Sequence, residues 1–218
     1  QVLMKKCCVI FYHKNIESIY LNSWIKECVD SIRDQTFQHF DVFELNYGQG
    51  NKFYFPEDGK RLVFRKSLPL ENHIFAMNHL IDSALKLEYE IIFNVNMDDS
   101  FNNLRFVKQY EKICQGYDLV SSNFWYTNDR GVKFKKMALT NSGDIGINLS
   151  KNHNVICHPC VAFSSSFFNT GLRYNNLLGY EDLDLWKRAH GEGKRFYILP
   201  DFLCNYRLHK KQVTKTYR

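Results

Sequence analysis

"YEIIFNVNMDDSF", residues Tyr89 to Phe101, sets an apolar run against two adjacent carboxylates, Asp98 and Asp99. The run has the profile of a strand buried on both faces. Two neighbouring acids at its end repel each other and resist desolvation unless water, donors or a cation compensates. Two explanations stay open on these residues alone. The acids can form a strand-to-helix turn, with Asp99 or Ser100 capping a helix near Asn103. Alternatively, they can hold a hard divalent cation, which binds one or two carboxylates and bridges phosphate oxygens.

Outward from this run the chain alternates strand and helix patterns. "KKCCVIFYHK" is a short apolar run closed by polar residues, a central strand. In "SIYLNSWIKECVDSIRDQ", Ile19, Trp24, Ile25, Cys28, Val29 and Ile32 recur at helical spacing. "FDVFEL" is the next strand and breaks into the turn-like "NYGQGN"; "KRLVFRK" is a further candidate. Ile74, Met77, Ile81, Ala84 and Leu85 give "ENHIFAMNHLIDSALKL" a helical face, and "NLRFVKQYEKICQG" reads as a helix ending on Gly116. "YDLVSSNFWY" returns to strand. This alternation predicts an open α/β layer with a mostly parallel central sheet flanked by helices.

From Thr127 to about Asn154 the periodicity is lost, which predicts a hairpin or loop of the length that functional lids have. "GYEDLDLWKRAHGEG" is then a compact helix and "KRFYILP" a closing strand. No repeat or linker divides the chain, so residues 1–218 read as one domain.

The totals narrow the class. With 44% apolar and 24% charged residues, the chain is a globular protein rather than a disordered one. A net charge of +6, if focused in a cleft, suits an anionic ligand such as a phosphate. No long Lys/Arg run argues for nucleic acid, so no nucleic-acid partner is expected. The odd count of seven cysteines points to thiols in a reducing, cytoplasmic compartment. "CHPC", Cys157 to Cys160, suggests zinc only superficially, because no second ligand pair stands at suitable spacing. No apolar run approaches the ~20 residues of a membrane span. No secretory leader is read at Gln1, although a removed one stays open. The aromatic content of 16% leaves a homo-oligomer open.

In a parallel sheet ligands bind at the carboxyl ends of the strands. "YHKN", "NYGQG", "NMDD" and "NFWYTND" all stand at such ends, which predicts a polar cleft containing the acids. "EDLDLW" is the second acidic cluster. Glu181 and Asp182 in a first helical turn complement the helix dipole, and Asp184 can pair with Arg188 across one turn. A carboxylate there can also serve as general base toward a hydroxyl. His209 in "NYRLHKKQ" matters only if the tail folds over the cleft.

These pieces, in this order, resemble a family 2 glycosyltransferase with the GT-A fold. The resemblance runs through "VIFYHK", "CVDSIRDQTFQHFDVFEL", "AMNHLIDSALKLEYEIIFNVNMDD" and "GYEDLDLWKRA" to "YRLHKKQVT". It implies a single Rossmann-like domain, with residues 1–125 binding nucleotide and 126–218 binding acceptor. It implies an inverting transferase that takes a sugar from a nucleotide-sugar, a UDP-sugar first, to an acceptor hydroxyl on a glycan, protein or lipid. Asp98, matching the last acid of the family's Asp-x-Asp motif, would bind Mn²⁺ or Mg²⁺ on the diphosphate, with His209 approaching from the tail. Asp182, matching the second acid of the Glu-Asp motif, would deprotonate the acceptor, with Glu181 beside it in the catalytic pair. Phe11 and Tyr12 would lie along the nucleobase, and Asn78 and Asn96 would line the nucleotide cleft.

Two departures stand out. Asn96 replaces the first acid of Asp-x-Asp, and "NYGQ" replaces the family's Asp-Asp-Gly-Ser, so Asn46 or Tyr47 would read the base. A donor- or glycan-binding module without turnover is the rival that these departures motivate. A sugar-phosphate nucleotidyltransferase is disfavoured, because "FYHKNIES" carries no glycine-rich triphosphate loop.

Overall fold

A computed structural model describes residues 4–139 and 141–212 of the chain. The elements follow in the order β1 (Cys7–His13), α1 (Asn22–Arg33), β2 (Asp41–Asn46), β3 (Val63–Ser67), α2 (His73–Lys86), β4 (Ile91–Asn94), β5 (Ser100–Phe101), α3 (Arg105–Cys114), β6 (Leu119–Thr127), β7 (Lys133–Met137), α4 (Ile145–Ser150), β8 (Ala162–Ser164), α5 (Glu181–Gly191) and β9 (Phe196–Arg207). The strands form one sheet in the order β3-β2-β1-β4-β8-β6-β9-β5, with β7 added to β6. The strands β1, β2, β3, β4, β6 and β9 run one way, while β5, β7 and β8 run the other. The sheet is mixed and mostly parallel, as the alternation predicts.

Period-two alternation along β1 divides the core. Cys8 and Ile10 face a cluster built with Ile74, Met77 and Leu80 of α2 and with Leu185 and Trp186 of α5. Cys7, Val9 and Phe11 face the opposite cluster, built with Ile25, Val29 and Ile32 of α1 and Phe106 of α3. Helices thus cover both faces, and the carboxyl ends of β1, β4 and β6 open at one edge.

Two features depart from the sequence-based expectation. Neither Asp99 nor Ser100 caps a helix: Ser100 and Phe101 pair with Asn205 and Cys204 as β5, and α3 starts only at Arg105. The segment after Thr127 contains the expected hairpin strand β7, but also the short helix α4, whose Ile145 and Leu149 are buried. The "NYGQG" turn stands at the carboxyl end of β2, as expected, where the Tyr47 amide donates to the His13 carbonyl at 3.0 Å. Buried Glu44 accepts hydrogen bonds from the Tyr54 and Phe55 amides at 2.6 and 3.2 Å and meets His13 at 3.1 Å.

Candidate active site

A cleft of about 340 Å³ opens at the carboxyl edge, lined by Tyr12, Asn96, Asp98, Glu181 and Asp182 and walled by Phe124, Leu139 and Ile156. Its first acidic element is the turn after β4, closed by the Asp99 amide donating to the Asn96 carbonyl at 3.2 Å. The two carboxylates part company there. Asp99 points inward, where its Oδ1 accepts from the Arg207 amide at 2.7 Å. Burial, then the charge of Asp98, pushes the Asp99 carboxyl well above its usual range. Asp98 faces the cleft, and its Oδ2 lies 3.0 Å from His209 Nε2. Because the Lys211 amide donates to His209 Nδ1 at 3.3 Å, Nε2 is the protonated nitrogen and donates to Asp98.

Arg207 fixes this turn from below. Its Nε donates to the Asp98 carbonyl at 2.9 Å, one terminal nitrogen donates to the Asn128 and Asp129 carbonyls at 3.2 Å each, and the other donates to Glu27. On the cleft side the Tyr12 hydroxyl donates to Asn96 Oδ1 at 3.0 Å. The amide at position 96 therefore accepts a hydrogen bond without adding a third negative charge to the turn.

The second acidic element opens α5. Gly179, at φ +82°, turns the chain into the helix through a backbone conformation that side chains disfavour. Glu181 and Asp182 follow as its first two residues, where negative charge meets the positive end of the helix dipole. Glu181 Oε1 meets His73 Nε2 at 3.0 Å, whereas its buried Oε2 has no protein partner. Burial raises the Glu181 carboxyl, but the His73 hydrogen bond and the residue's own backbone amide outweigh it and hold the group below its ordinary value. Asp182 accepts from Asn154 Nδ2 at 2.6 Å and from the Leu183 amide at 2.7 Å. Asp184 pairs with Arg188 at 2.8 Å as the spacing predicts.

Helix α2 positions the loop that leads into this pair. Asn78 brackets the Tyr174 backbone, donating to its carbonyl at 2.9 Å and accepting from its amide at 3.0 Å. Asn72 donates to Asn176 at 2.9 Å, and the Tyr174 hydroxyl meets His158 Nε2 at 2.9 Å. Burial lowers the His158 pKa, so the ring at the cleft wall is kept neutral.

Of the sequence-predicted site residues, Tyr12, Asn96, Asp98, Glu181 and Asp182 share the cleft, and His209 stands one hydrogen bond behind Asp98. Four others are placed differently. Phe11 is fully buried on the α1–α3 face, edge-on to Phe55, because neighbours on a strand point to opposite faces. The Asn46 amide is spent on its own loop, accepting from Gly48 at 3.0 Å and donating to Lys52 at 3.1 Å. Tyr47 packs half-buried against the apolar cluster, and burial pushes its hydroxyl up to about 12. Asn78 is occupied with Tyr174. Four residues that line or support the site carried no expected role: His73, Asn154, His158 and Arg207. Arg207 stands beside His209 in "YRLH", but its inward direction is visible only in three dimensions. Val213 and Thr214, the end of the resembling tail, lie outside the described residues.

Asp98 and His209 are the pair suited to a cation. Among the described residues no group of three His, Cys, Asp or Glu side chains converges on a metal position. A pair nevertheless suffices where phosphate oxygens and water complete the shell, and the imidazole suits Mn²⁺ better than Mg²⁺. Binding would replace the hydrogen bond between the two side chains and would need the imidazole proton on Nδ1, which would release that nitrogen from the Lys211 amide. "CHPC" forms a 3-10 turn with Cys157 and Cys160 buried as free thiols, the latter 3.1 Å from the Ser122 hydroxyl.

The architecture is shared with solved glycosyltransferases. S. aureus TarS superposes with a TM-score of 0.71 at 18% identity, covering 93% of this chain and 37% of TarS. TarS 1-349 in complex with UDP-GlcNAc gives 0.70 at 18% identity, over 97% of this chain and 61% of that one. The mannosyltransferase PcManGT from Pyrobaculum calidifontis, in complex with GDP-Man and Mn²⁺, gives 0.66 at 13% identity, over 97% and 59%.

The chain has the GT-A fold.

It spans between 37% and 61% of the length of the chains in these three structures. No family model and no curated protein matches the chain.

Proposed function

We propose that this GT-A chain is an inverting, metal-dependent glycosyltransferase similar to family 2. It would move a sugar from a nucleotide-sugar, first among them a UDP-sugar, to an acceptor hydroxyl. One observation carries the reading: a single cleft is lined by Asp98, backed by His209, and by Asp182, backed by Asn154. Two of the solved structures that share the fold are complexes, one with UDP-GlcNAc and one with GDP-Man and Mn²⁺, which supports a nucleotide-sugar donor.

Asp98 and His209 would hold Mn²⁺ or, less well matched to the imidazole, Mg²⁺. When bound, the cation neutralises charge developing on the leaving diphosphate. Asp182 takes the proton of the acceptor hydroxyl as that oxygen attacks the anomeric carbon in line, so the bond to the diphosphate breaks on the opposite side and the configuration inverts. Hydrogen bonds from Asn154 and the Leu183 amide fix the direction of the carboxylate. Phe124, Leu139 and Ile156 give the cleft an apolar wall that limits competing water. Tyr12 and Asn96 border the nucleotide, and the acceptor enters from the side of residues 126–218.

Asn96 in place of an acid favours a second reading, a donor-binding module without turnover. Release of UDP or GDP from UDP-GlcNAc or GDP-Man, measured with and without Mn²⁺ and with a panel of glycan acceptors, separates the two. Acceptor-stimulated release that needs Mn²⁺ supports the transferase. Binding without release on any acceptor supports the module. Among the described residues no helix is long and apolar enough to cross a membrane.

A further inference from the structure

The Glu181 side chain is only 9% exposed, and its Oε2 atom is buried without a hydrogen-bond partner while the residue lines the cleft. A carboxylate oxygen kept from water and left without a donor is costly, more so than a neutral acceptor. Such an atom calls for a donor supplied by a ligand. Its other oxygen is already occupied by His73, the first residue of α2, which also lines the cleft. His73 stands outside every segment that carries the glycosyltransferase resemblance.

The location narrows the ligand. Glu181 neighbours Asp182, the residue assigned to the acceptor proton. Glu181 shares the cleft with Asp98, assigned to the diphosphate, and with Asp182, so its unpartnered oxygen borders the space through which the transferred sugar passes. A sugar ring offers hydroxyl donors there.

We propose that His73 and Glu181 form a sugar-reading pair: Glu181 Oε2 accepts a hydrogen bond from one ring hydroxyl of the transferred sugar, and His73 is the positioning residue that aims that oxygen. The proposal rests on the nucleotide-sugar reading above and names a determinant of its donor specificity.

The test compares sugar-bearing and sugar-free nucleotides. Binding of UDP, UDP-GlcNAc, GDP and GDP-Man, each with Mn²⁺, is measured by calorimetry for wild type, Glu181→Gln, His73→Ala and His73→Gln. Glu181→Gln keeps size but turns the reading oxygen into a donor. It should weaken the sugar nucleotide by about 10- to 100-fold while leaving the matching diphosphate within about twofold. His73→Ala should give a smaller loss of the same kind, and His73→Gln, which can still donate, should restore most of it. Retained diphosphate affinity doubles as the check that each variant is folded. In wild type, one of the 3-, 4- and 6-deoxy donors should bind worse, and Glu181→Gln should no longer distinguish it. An unchanged preference for sugar nucleotide over diphosphate in Glu181→Gln overturns the pair alone. So does loss of transfer with that preference intact, which would make Glu181 a proton acceptor. Absence of binding to every nucleotide overturns the nucleotide-sugar reading and the pair with it.

Discussion

His209 Nε2 lies 3.0 Å from Asp98 Oδ2, although the two residues stand 111 positions apart in the chain. The contact brings the end of the described chain over the turn after β4. His209 is held there by the rings of Tyr20 and Trp24, 5.5 and 5.0 Å away between centroids. If the pair holds a cation, His209→Ala should weaken Mn²⁺-dependent nucleotide binding by at least about 10-fold, the loss that removal of outer-shell partners alone produces. Affinity measured without Mn²⁺ should stay unchanged. An equal loss in both conditions would assign His209 a purely structural role.

Asp182→Asn should abolish transfer and leave nucleotide affinity within about a factor of ten. The amide keeps the carbonyl oxygen that Asn154 or the Leu183 amide can reach, so the α5 end stays in place, but it cannot take a proton. Single-turnover kinetics beside calorimetry would separate the two effects. Loss of both together would make Asp182 an organiser of the site rather than its base.

Arg207 is 1% exposed and spreads its guanidinium over the Asp98, Asn128 and Asp129 carbonyls and Glu27, with its plane 5.1 Å from the Trp24 ring. Arg207→Ala leaves the Asp98 carbonyl short of its donor, strips Glu27 of its ion-pair partner and opens a cavity, so stability should fall by on the order of 3 kcal/mol. Arg207→Lys should recover little, because one ammonium cannot reproduce the planar fork. Urea unfolding of the two variants checks both statements. Recovery by lysine would mean that charge alone matters here.

Asn78 offers a test of place against expectation. As a bracket on the Tyr174 backbone, its replacement by Ala should cost about 1–3 kcal/mol of stability. Diphosphate affinity should stay within about twofold of wild type, because the side chain is spent inside the protein. Lost affinity at unchanged stability would return Asn78 to the nucleotide.

What the sequence revealed followed from periodicity. The apolar run at Cys7 and the recurrence from Trp24 to Ile32 are local patterns, and β1 and α1 follow them. Glu181 opening α5 was legible from Gly179 and the clustered acids. The strand period turns Phe11 and Tyr12 to opposite faces, so of the two only Tyr12 reaches the cleft. Other features left no local trace. Asp99 is satisfied by an amide 108 positions away, β5 is two residues long, and α4 buries only Ile145 and Leu149. His73 and Asn154 gain their roles by meeting α5 from distant segments, which no spacing rule anticipates.

The central claim is a metal-assisted diphosphate site at Asp98, and thermal unfolding of the wild-type chain with UDP and with GDP, each with and without Mn²⁺, tests it most directly. A nucleotide at 100 times its dissociation constant should add roughly 2.7 kcal/mol to stability. The site described here predicts a rise in Tm that needs nucleotide and Mn²⁺ together and vanishes in Asp98→Ala. No rise with either nucleotide, or a rise that Asp98→Ala leaves intact, would contradict it.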